Sequence, residues 1–305
     1  MKAAVIGVGH LGRHHARILG SLPGITLAGV VDLNADRAAE FAREFGTTAF
    51  ADARQIDGLD LAVIAAPTES HAALAQPLVN AGVHTLVEKP VTQTLAEADA
   101  LIAAAKARGV VLAVGHSERF NPAVAAARPH VSDPRFIEVH RLGTQVGRSL
   151  DIDVVLDLMI HDLDLILSMV PSEVESVEAV GVPVLTPKVD IANARVRFTN
   201  GCIANLTASR ISKDPVRKIR FFQRERYLSI DTAAREVEMF ELVPQQDGMP
   251  KIGGGKLTVP GDEPLKAELE DFVAAVREKR APAVTGEQGR AALALAVKIV
   301  ELMKQ

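Results

Sequence analysis

Three residues, Lys89, Asp157 and His161, have side chains and positions suited to proton transfer. Lys89 follows the apolar run 83–87, which is typical of a buried strand, and Pro90 cannot continue the hydrogen bonding of that strand. Lys89 is therefore predicted at the carboxyl end of a strand. In open parallel α/β sheets, ligands bind at these strand ends. A charged lysine there would stabilise a developing alkoxide, whereas a desolvated, neutral lysine would itself accept a proton.

Asp157 and His161 are four residues apart, which places both on one face of a predicted helix. A histidine with the ordinary pKa of about 6.5 is largely neutral at pH 7, so His161 could accept a proton while Asp157 orients its ring. A helix-surface pair or a core histidine is the plainer alternative. A metal site that adds Asp162 or Asp164 is disfavoured, because the sequence has no second histidine cluster, and no metal is expected.

A dinucleotide fingerprint lies near the N-terminus, between an apolar run at 3–6 and a predicted helix. Its first glycine permits a tight turn, its second lets the backbone approach a diphosphate, and its third allows close packing of helix on strand. An acidic residue, Asp32, follows the last glycine by twenty positions, as the fingerprint requires. The predicted cofactor loop consists of Gly7, Val8, Gly9, His10, Leu11 and Gly12.

Asp32 favours NAD over NADP as the cofactor. Its carboxylate would accept hydrogen bonds from the adenosine ribose, whereas a 2'-phosphate would meet a charge of the same sign. Two such charges about 4 Å apart repel by about 4 kcal/mol at an effective dielectric of about 20. An N-cap role for Asp32 is the alternative, and the nearby Arg37 keeps NADP as a less favoured cofactor.

Further polar residues follow predicted strands at the same edge. Ala66, Pro67, Thr68 and His71 follow one strand and are predicted near the nicotinamide ribose, together with Glu88 and Lys89. His116, Arg119 and Asn121 follow the last predicted strand of the N-terminal region and are predicted to bind substrate together with Lys89, Asp157 and His161. Arg119 could hold a sugar diphosphate, and a structural linker is the alternative for this segment.

Strand-like runs alternate with helical patterns through the first 120 residues, which predicts an α/β Rossmann domain with a doubly wound parallel sheet. Beyond it, one helical stretch at 154–169 precedes strand-like segments at 174–184, 189–199 and 202–210, which predict a C-terminal α+β domain. The predicted domains are 1–118 for NAD(P) binding and 119–305 for substrate binding and oligomerisation.

Two glycine-containing segments predict local structure in the second domain. Asn200-Gly201 predicts a two-residue hairpin, and the glycines at 253–255 predict a mobile connection.

Composition limits the classes of function. The net charge of −4 disfavours nucleic-acid binding, and apolar runs fall short of the roughly 20 residues that span a bilayer. The single cysteine, Cys202, excludes an intrachain disulfide and favours a cytoplasmic location, with Cys202 itself as a small core residue. A basic cluster predicts an exposed or intersubunit strand face rather than an anion site, and comprises Arg210, Lys213, Arg217, Lys218, Arg220, Arg224 and Arg226.

The order of Gly7-x-Gly-x-x-Gly12, Glu88-Lys-Pro90 and Asp157-x-x-x-His161 resembles the Gfo/Idh/MocA family over essentially the whole chain. The resemblance implies a Rossmann domain, a C-terminal α+β domain with an open, mainly antiparallel sheet, and NAD(P)-dependent oxidation of a sugar or cyclitol hydroxyl. It also implies a homodimer or homotetramer built through the C-terminal sheet. Many members have glycines where this chain has Val154, Val155 and Met159, so the pocket shape is expected to differ.

Three segments, 115–122, 156–164 and 189–195, most resemble family members that oxidise the 3-hydroxyl of UDP-N-acetylglucosamine. That resemblance implies a 3-keto sugar product on the route to the amino sugar of lipid A. Two alternatives remain open. One is an inositol or simple sugar dehydrogenase, and the other is a non-catalytic NAD-binding sensor, which would not need a proton acceptor beside the cofactor.

Overall fold

A computed structural model describes residues 1–144, 152–245, 248–261 and 263–304. The chain forms two compact units. The first contains 1–117 together with 265–291, and the second contains 118–264 together with 292–305. Segment 265–291 therefore belongs with the N-terminal part of the chain. A single boundary at residue 118 would instead assign this segment to the C-terminal domain.

A six-stranded sheet forms the centre of the first unit. Its strands are β1 (Lys2–Ile6), β2 (Thr26–Val31), β3 (Ala49–Phe50), β4 (Leu61–Ile64), β5 (His84–Glu88) and β6 (Leu112–Gly115). They lie in the order β3-β2-β1-β4-β5-β6 and pair in parallel. The predicted doubly wound sheet is confirmed. The strand order reverses between β1 and β4, and ligands bind at such a switch point in open α/β sheets.

Four helices connect these strands: α1 (Gly12–Ser21), α2 (Ala35–Glu44), α3 (Thr68–Asn80) and α4 (Leu95–Arg108). Local sequence explains the ends of α4. Thr94 and Glu97 form a reciprocal capping box, in which the Thr94 N–H donates to Glu97 Oε2 at 2.9 Å. Gly109 ends the helix with φ +64°, a left-handed conformation that glycine adopts without strain.

The second unit contains an eight-stranded sheet. Its strands are β7 (Pro134–Thr144), β8 (Val174–Val182), β9 (Ile191–Phe198), β10 (Ile203–Ser209), β11 (Ile211–Gln223), β12 (Arg226–Asp231), β13 (Glu236–Val243) and β14 (Lys251–Lys256). They lie in the order β14-β13-β12-β11-β7-β10-β9-β8. β7 and β10 pair in parallel and the other neighbours are antiparallel. The expected open, mainly antiparallel sheet is confirmed.

Helices cover one face of this sheet, and two more close the chain. The helices are α5 (Pro122–Ala127), α6 (Ile160–Met169), α7 (Pro264–Glu278) and α8 (Gly286–Leu302). The core of the second unit joins apolar residues of α5, α6 and the C-terminal half of α8 to the inner face of the sheet. The predicted helix 154–169 is present, but its first part, Val155–Met159, is a π-helical turn that leads directly into α6.

The β9–β10 hairpin is present where the sequence predicts it, with one difference in its turn. The Phe198 N–H donates to the Cys202 carbonyl at 2.9 Å, and the Gly201 N–H donates to the Phe198 carbonyl at 2.9 Å. The turn therefore contains three residues, 199–201, and not two. Gly201 has φ +84°, the left-handed conformation that closes a three-residue hairpin loop.

The predicted mobile connection at 253–255 is wrong, because these glycines lie within β14 and pair with β13. Gly254 faces Phe240 across the pair, and a β-carbon on Gly254 would lie 2.0 Å from the Met239 carbonyl oxygen. Its φ of +124° is likewise a conformation that favours glycine. Gly254 therefore allows a close strand approach that a side chain would block.

Cys202 lies fully buried in the core of the second unit, as predicted, and burial raises the pKa of its thiol to about 11. Such a thiol remains protonated at neutral pH and behaves as a small apolar residue. Within the described ranges, no helix combines the length and the apolar character needed to cross a bilayer.

Candidate active site

The cofactor loop connects β1 to α1 at the switch point of the parallel sheet. Gly7 has φ +86°, and a β-carbon there would lie 2.7 Å from the Ala65 carbonyl oxygen. A β-carbon on Gly12 would lie 1.7 Å from the Gly7 carbonyl oxygen, whereas one on Gly9 would meet no atom within 4 Å. Gly7 and Gly12 therefore serve the close packing of the loop, while Gly9 leaves space for an approaching diphosphate at the N-terminus of α1. The loop fits a dinucleotide.

Asp32 follows β2 and is tied to the cofactor loop. Its Oδ2 accepts a hydrogen bond from the Val8 N–H at 2.9 Å, and its Oδ1 accepts one from the Asn34 N–H at 2.9 Å. Arg37 donates to both oxygens, at 3.1 and 2.7 Å. Burial acts to raise the pKa of Asp32, but the hydrogen bonds and charge of Arg37 and the two backbone donors hold it below its ordinary value. The Asp32 side chain is therefore an anion at neutral pH. The N-cap of α2 is Asn34, not Asp32.

The loop after β4 meets the loop after β5 through His71. His71 is buried, with Nδ1 2.9 Å from the Pro90 carbonyl oxygen and Nε2 2.8 Å from the Ala66 carbonyl oxygen. Pro67 is exposed at the start of α3, and Thr68 is the first residue of that helix. The geometry makes His71 a brace between the two loops, and direct contact of these four residues with a cofactor stays a prediction.

Glu88 and Lys89 lie at the carboxyl end of β5, two strands along the sheet from β1. Glu88 is buried and Lys89 is half-buried. The Lys89 N–H donates to Glu88 Oε2 at 3.2 Å, while Glu88 Oε1 lies 2.7 Å from Nε2 of His15. The structure thus places Lys89 at the strand end that the sequence predicts, on the same sheet edge as the cofactor loop.

Asp157 and His161 lie in the second unit, on the π-helical turn and on the first turn of α6. Asp157 is buried and His161 is half-buried. π-helical turns within helices occur frequently at functional sites, because the extra residue per turn repositions side chains at the cost of weaker hydrogen bonding. Val154, Val155 and Met159 are fully buried in the core of the second unit.

A loop between β8 and β9 anchors the start of this helix. The Val189 N–H donates to Asp153 Oδ1 at 3.0 Å, and the Val154 N–H donates to the Val189 carbonyl at 3.0 Å. Asp190 holds the loop by accepting backbone hydrogen bonds from 184–186. Burial acts to raise the pKa of Asp190, but these donors outweigh it and lower the pKa to about 2. The fixed loop therefore determines where the helix that carries Asp157 begins.

Two buried arginines engage the other carboxylates of α6. Arg119 donates to Asp164 at 2.6 and 2.7 Å, and Arg141 donates to Asp162 at 2.8 and 2.7 Å. Both pairs are bidentate, the strongest arrangement for guanidinium and carboxylate. They occupy the carboxylates that a metal site built with His161 would need. A role for Arg119 in binding a diphosphate stays a prediction, since two of its donors already hold Asp164.

The two remaining predicted substrate-binding residues are buried in different units. Asn121 in the second unit caps α5 by accepting from the Ala123 N–H at 3.0 Å, and its amide donates to the Thr232 carbonyl at 3.0 Å. His116 in the first unit directly follows β6 and is 1% exposed. These contacts give Asn121 a structural role, and substrate binding by either residue stays a prediction.

An aromatic row lies on the outer face of the second sheet, and Arg220 lies on the same face because it alternates with the buried Ile219 and Phe221. Arg226 alternates with Tyr227 of the aromatic row and lies on the opposite, helix-covered face, where it donates to the His130 carbonyl. Arg220 pairs with Glu138 and Arg226 pairs with Glu241, whereas Arg210 is buried and donates to backbone carbonyls. The paired members therefore stabilise the sheet and do not form an anion site. The predicted exposed strand face is wrong for Arg210, which is buried. The aromatic rings lie 5.2 to 6.4 Å apart across four neighbouring strands, in the order Phe136, Phe222, Tyr227 and Phe240.

Two residues beside Glu88 are not among the predicted site residues. His15 is fully buried on α1, and Glu268 is buried on α7. The side chains of His15, Glu88 and Glu268 each place one ring nitrogen or carboxylate oxygen within 4.8 Å of those of the other two. A histidine and a glutamate on otherwise apolar helix faces were the available signal, but no local pattern indicates that they meet.

Comparisons with known proteins agree with the fold. Residues 1–116 match the family model described as an oxidoreductase family with an NAD-binding Rossmann fold. Residues 130–225 match the model for the GFO/IDH/MocA C-terminal domain. The two models thus cover both the parallel sheet with its cofactor loop and most of the second sheet.

Individual relatives extend the likeness over the whole chain. UDP-N-acetylglucosamine 3-dehydrogenase of Acidithiobacillus ferrooxidans is 42% identical, over 98% of this chain and 96% of the relative. A solved structure of the enzyme of that name from that organism has a TM-score of 0.93 at 40% identity, with 100% of this chain and 98% of that chain covered. scyllo-Inositol 2-dehydrogenase (NAD(+)) of Bacillus subtilis is 29% identical over 70% of this chain and 68% of the relative.

Proposed function

The chain belongs to the Gfo/Idh/MocA family of NAD-binding oxidoreductases, and we propose that it is a cytoplasmic dehydrogenase for the 3-hydroxyl of UDP-N-acetylglucosamine. The observation that carries the substrate is the 42% identity, over nearly the full length of both chains, to an enzyme of that name. The cytoplasmic location rests on the single cysteine, which cannot form an intrachain disulfide.

We propose that Lys89, Asp157 and His161 carry the chemistry. The C3–H bond breaks as its hydride leaves, the O–H proton passes to a base, and the C3–O bond becomes a carbonyl. A bound nicotinamide supplies the hydride acceptor. His161 takes the proton, Asp157 orients the imidazole and stabilises its protonated form, and the Lys89 ammonium stabilises the alkoxide as it develops.

Incubation with NAD and candidate alcohols tests the function, with NADH absorbance as the readout. We expect turnover with UDP-N-acetylglucosamine and none with free N-acetylglucosamine, because the nucleotide contributes the binding energy. The oxidised carbon is identified by borodeuteride reduction of the product, which should place deuterium at C3. Turnover with myo- or scyllo-inositol alone would contradict the substrate and favour the cyclitol alternative, which the inositol dehydrogenase relative supports.

We propose NAD as the cofactor, because Asp32 is held as an anion where a 2'-phosphate of NADP would lie. Arg37 is the residue that could accept such a phosphate, but its guanidinium is engaged by both oxygens of Asp32. The Asp32 carboxylate would therefore repel the 2'-phosphate of NADP, and it already pairs with Arg37, the cation that would otherwise bind this phosphate.

Replacing Asp32 with Ser is expected to shift the preference toward NADP, since the change removes the anion and frees Arg37. The ratio of kcat/KM for NAD to that for NADP should fall about 10- to 100-fold, with each tenfold change worth about 1.4 kcal/mol. Asp36→Ser is the matched control, because Asp36 is an exposed acid four residues away on the first turn of α2. An unchanged ratio in Asp32→Ser, or a wild-type preference for NADP, would contradict the assignment.

We propose that the outer face of the second sheet binds a second copy of this chain. Phe222 and Phe240 are 37% and 38% exposed within the aromatic row, and contiguous exposed apolar surface of this kind marks protein interaction sites. The Arg220–Glu138 ion pair on the same face gives part of the polar rim expected of an interface. Light scattering should return a mass of two or four chains, and the mass of one chain would contradict the proposal.

A further inference from the structure

His15 is connected to Lys89 through the side chain of Glu88. His15 lies on α1 with 0% exposure, and its Nε2 is 2.7 Å from Glu88 Oε1. The second oxygen of Glu88 accepts the N–H of Lys89 at 3.2 Å. One carboxylate therefore joins a buried imidazole to the backbone of the lysine at the strand end.

The backbone of the next strand fixes this carboxylate in place. Gly115 lies opposite Glu88 in the β5–β6 pair, and a β-carbon on Gly115 would lie 2.9 Å from Glu88 Oε2. The carboxylate thus fills the space that a side chain at residue 115 would take. Glu88 is 7% exposed, so water does not replace the hydrogen bond from His15.

The charges around Glu88 come from three elements of the first unit. His15 on α1 and Lys89 after β5 are basic, and Glu268 on α7 is a second buried carboxyl group. Burial acts to raise the pKa of Glu88, but the hydrogen bond from His15 and the charges of His15 and Lys89 hold it below its ordinary value. Because Glu88 is an anion at neutral pH, it stabilises positive charge on its neighbours.

We propose that His15 is a positioning residue that acts through Glu88 to hold the Lys89 ammonium in place. The inference rests on the catalytic role of Lys89 in the proposed function. His15 keeps the Glu88 carboxylate ionised and correctly oriented. Glu88 in turn supplies the counter-charge and the backbone anchor of Lys89. Without His15, the buried carboxyl group gains a proton and its stabilisation of the lysine is lost.

Three variants test the inference. His15→Leu removes the hydrogen bond while retaining an apolar side chain of moderate size, and His15→Gln retains a donor near the position of Nε2. Glu88→Gln removes the counter-charge directly. We expect kcat to fall about 10- to 100-fold in His15→Leu and Glu88→Gln, and to recover at least partly in His15→Gln.

The pH profile of kcat separates this role from ordinary packing. Loss of the anion favours the neutral form of Lys89, so the limb that Lys89 controls should move to lower pH by about one unit in His15→Leu and Glu88→Gln. The direction is the same whether the reaction needs lysine charged or neutral. His84→Gln is the matched control: His84 lies at the other end of β5, where its Nδ1 accepts the Val111 N–H, and its profile should match the wild type.

The outcomes distinguish the positioning role of His15 from the proposed catalytic role of Lys89. An unshifted profile in both His15→Leu and Glu88→Gln, with only the thermal midpoint reduced, would make His15 a core histidine and overturn the inference. If Lys89→Met is inactive but His15→Leu has the wild-type kcat and profile, this inference alone fails. If Lys89→Met turns over normally, the proposed role of Lys89 fails.

Discussion

Lys89→Met is expected to lower kcat for oxidation of UDP-N-acetylglucosamine by about 10³-fold or more, while the Kd for NAD changes little. Removing one preorganised group that stabilises a developing oxyanion typically costs about 10²- to 10³-fold, and loss of a proton acceptor costs about 10²- to 10⁴-fold. Met retains most of the side-chain length, and the Lys89 backbone bond to Glu88 does not depend on the ammonium. Steady-state kinetics and calorimetric NAD titration measure the two effects.

The matched control is Lys106→Met, which removes an exposed lysine on α4 that pairs with Glu287. Exposed ion pairs contribute about 0 to 1 kcal/mol, so this control should keep wild-type kcat. Equal loss in both variants would point to a general charge effect. Lys89→Met with wild-type kcat would remove Lys89 from the chemistry.

Lys89→Arg distinguishes two roles that the sequence leaves open. Arginine keeps its positive charge at all working pH values, so it can stabilise an alkoxide but cannot serve as a base. Partial activity in Lys89→Arg supports the electrostatic role. Activity as low as in Lys89→Met supports lysine as the proton acceptor.

His161→Asn is expected to lower kcat by about 10²- to 10⁴-fold, the usual contribution of a positioned general base. Asn approximates the shape of the imidazole but cannot take a proton at neutral pH. The acid limb of the wild-type kcat/KM profile should also disappear, because in the proposed mechanism protonation of His161 inactivates the base as pH falls. Full pH profiles of both enzymes with UDP-N-acetylglucosamine test this expectation.

His130→Asn is the control for this substitution, since His130 lies in the same unit in a short turn after α5. Its backbone carbonyl accepts from Gln223 and Arg226, and these bonds do not require the imidazole. The control should keep both the rate and the acid limb. A His161→Asn enzyme with an intact acid limb would transfer the role of base to another residue, with Lys89 the first to examine.

The local sequence was sufficient to predict the cofactor loop, the strand end that carries Lys89 and the helix that carries Asp157 and His161. Gly12 packs against the Gly7 carbonyl within one turn, whereas Gly7 approaches the Ala65 carbonyl just after β4, and both positions exclude a β-carbon in the structure. The apolar run before Lys89 determined its place at a strand end, and the four-residue spacing of Asp157 and His161 placed them on successive turns. Each signal lies within one short segment of the chain, and the apolar run and the four-residue spacing follow the geometry of a strand and a helix, so they are visible in the sequence.

Tertiary structure decided the partners of the charged side chains. His15 meets Glu88 across 73 residues, and Arg119 meets Asp164 across 45 residues. Only the folded chain brings such groups within hydrogen-bond distance, because a pairing between distant segments leaves no periodic trace in either one. Segment 265–291 packs in the first unit and brings Glu268 close to Glu88. No local pattern in the sequence predicts this contact either. The sequence therefore predicts which groups perform chemistry, and long-range packing determines the charges that surround them.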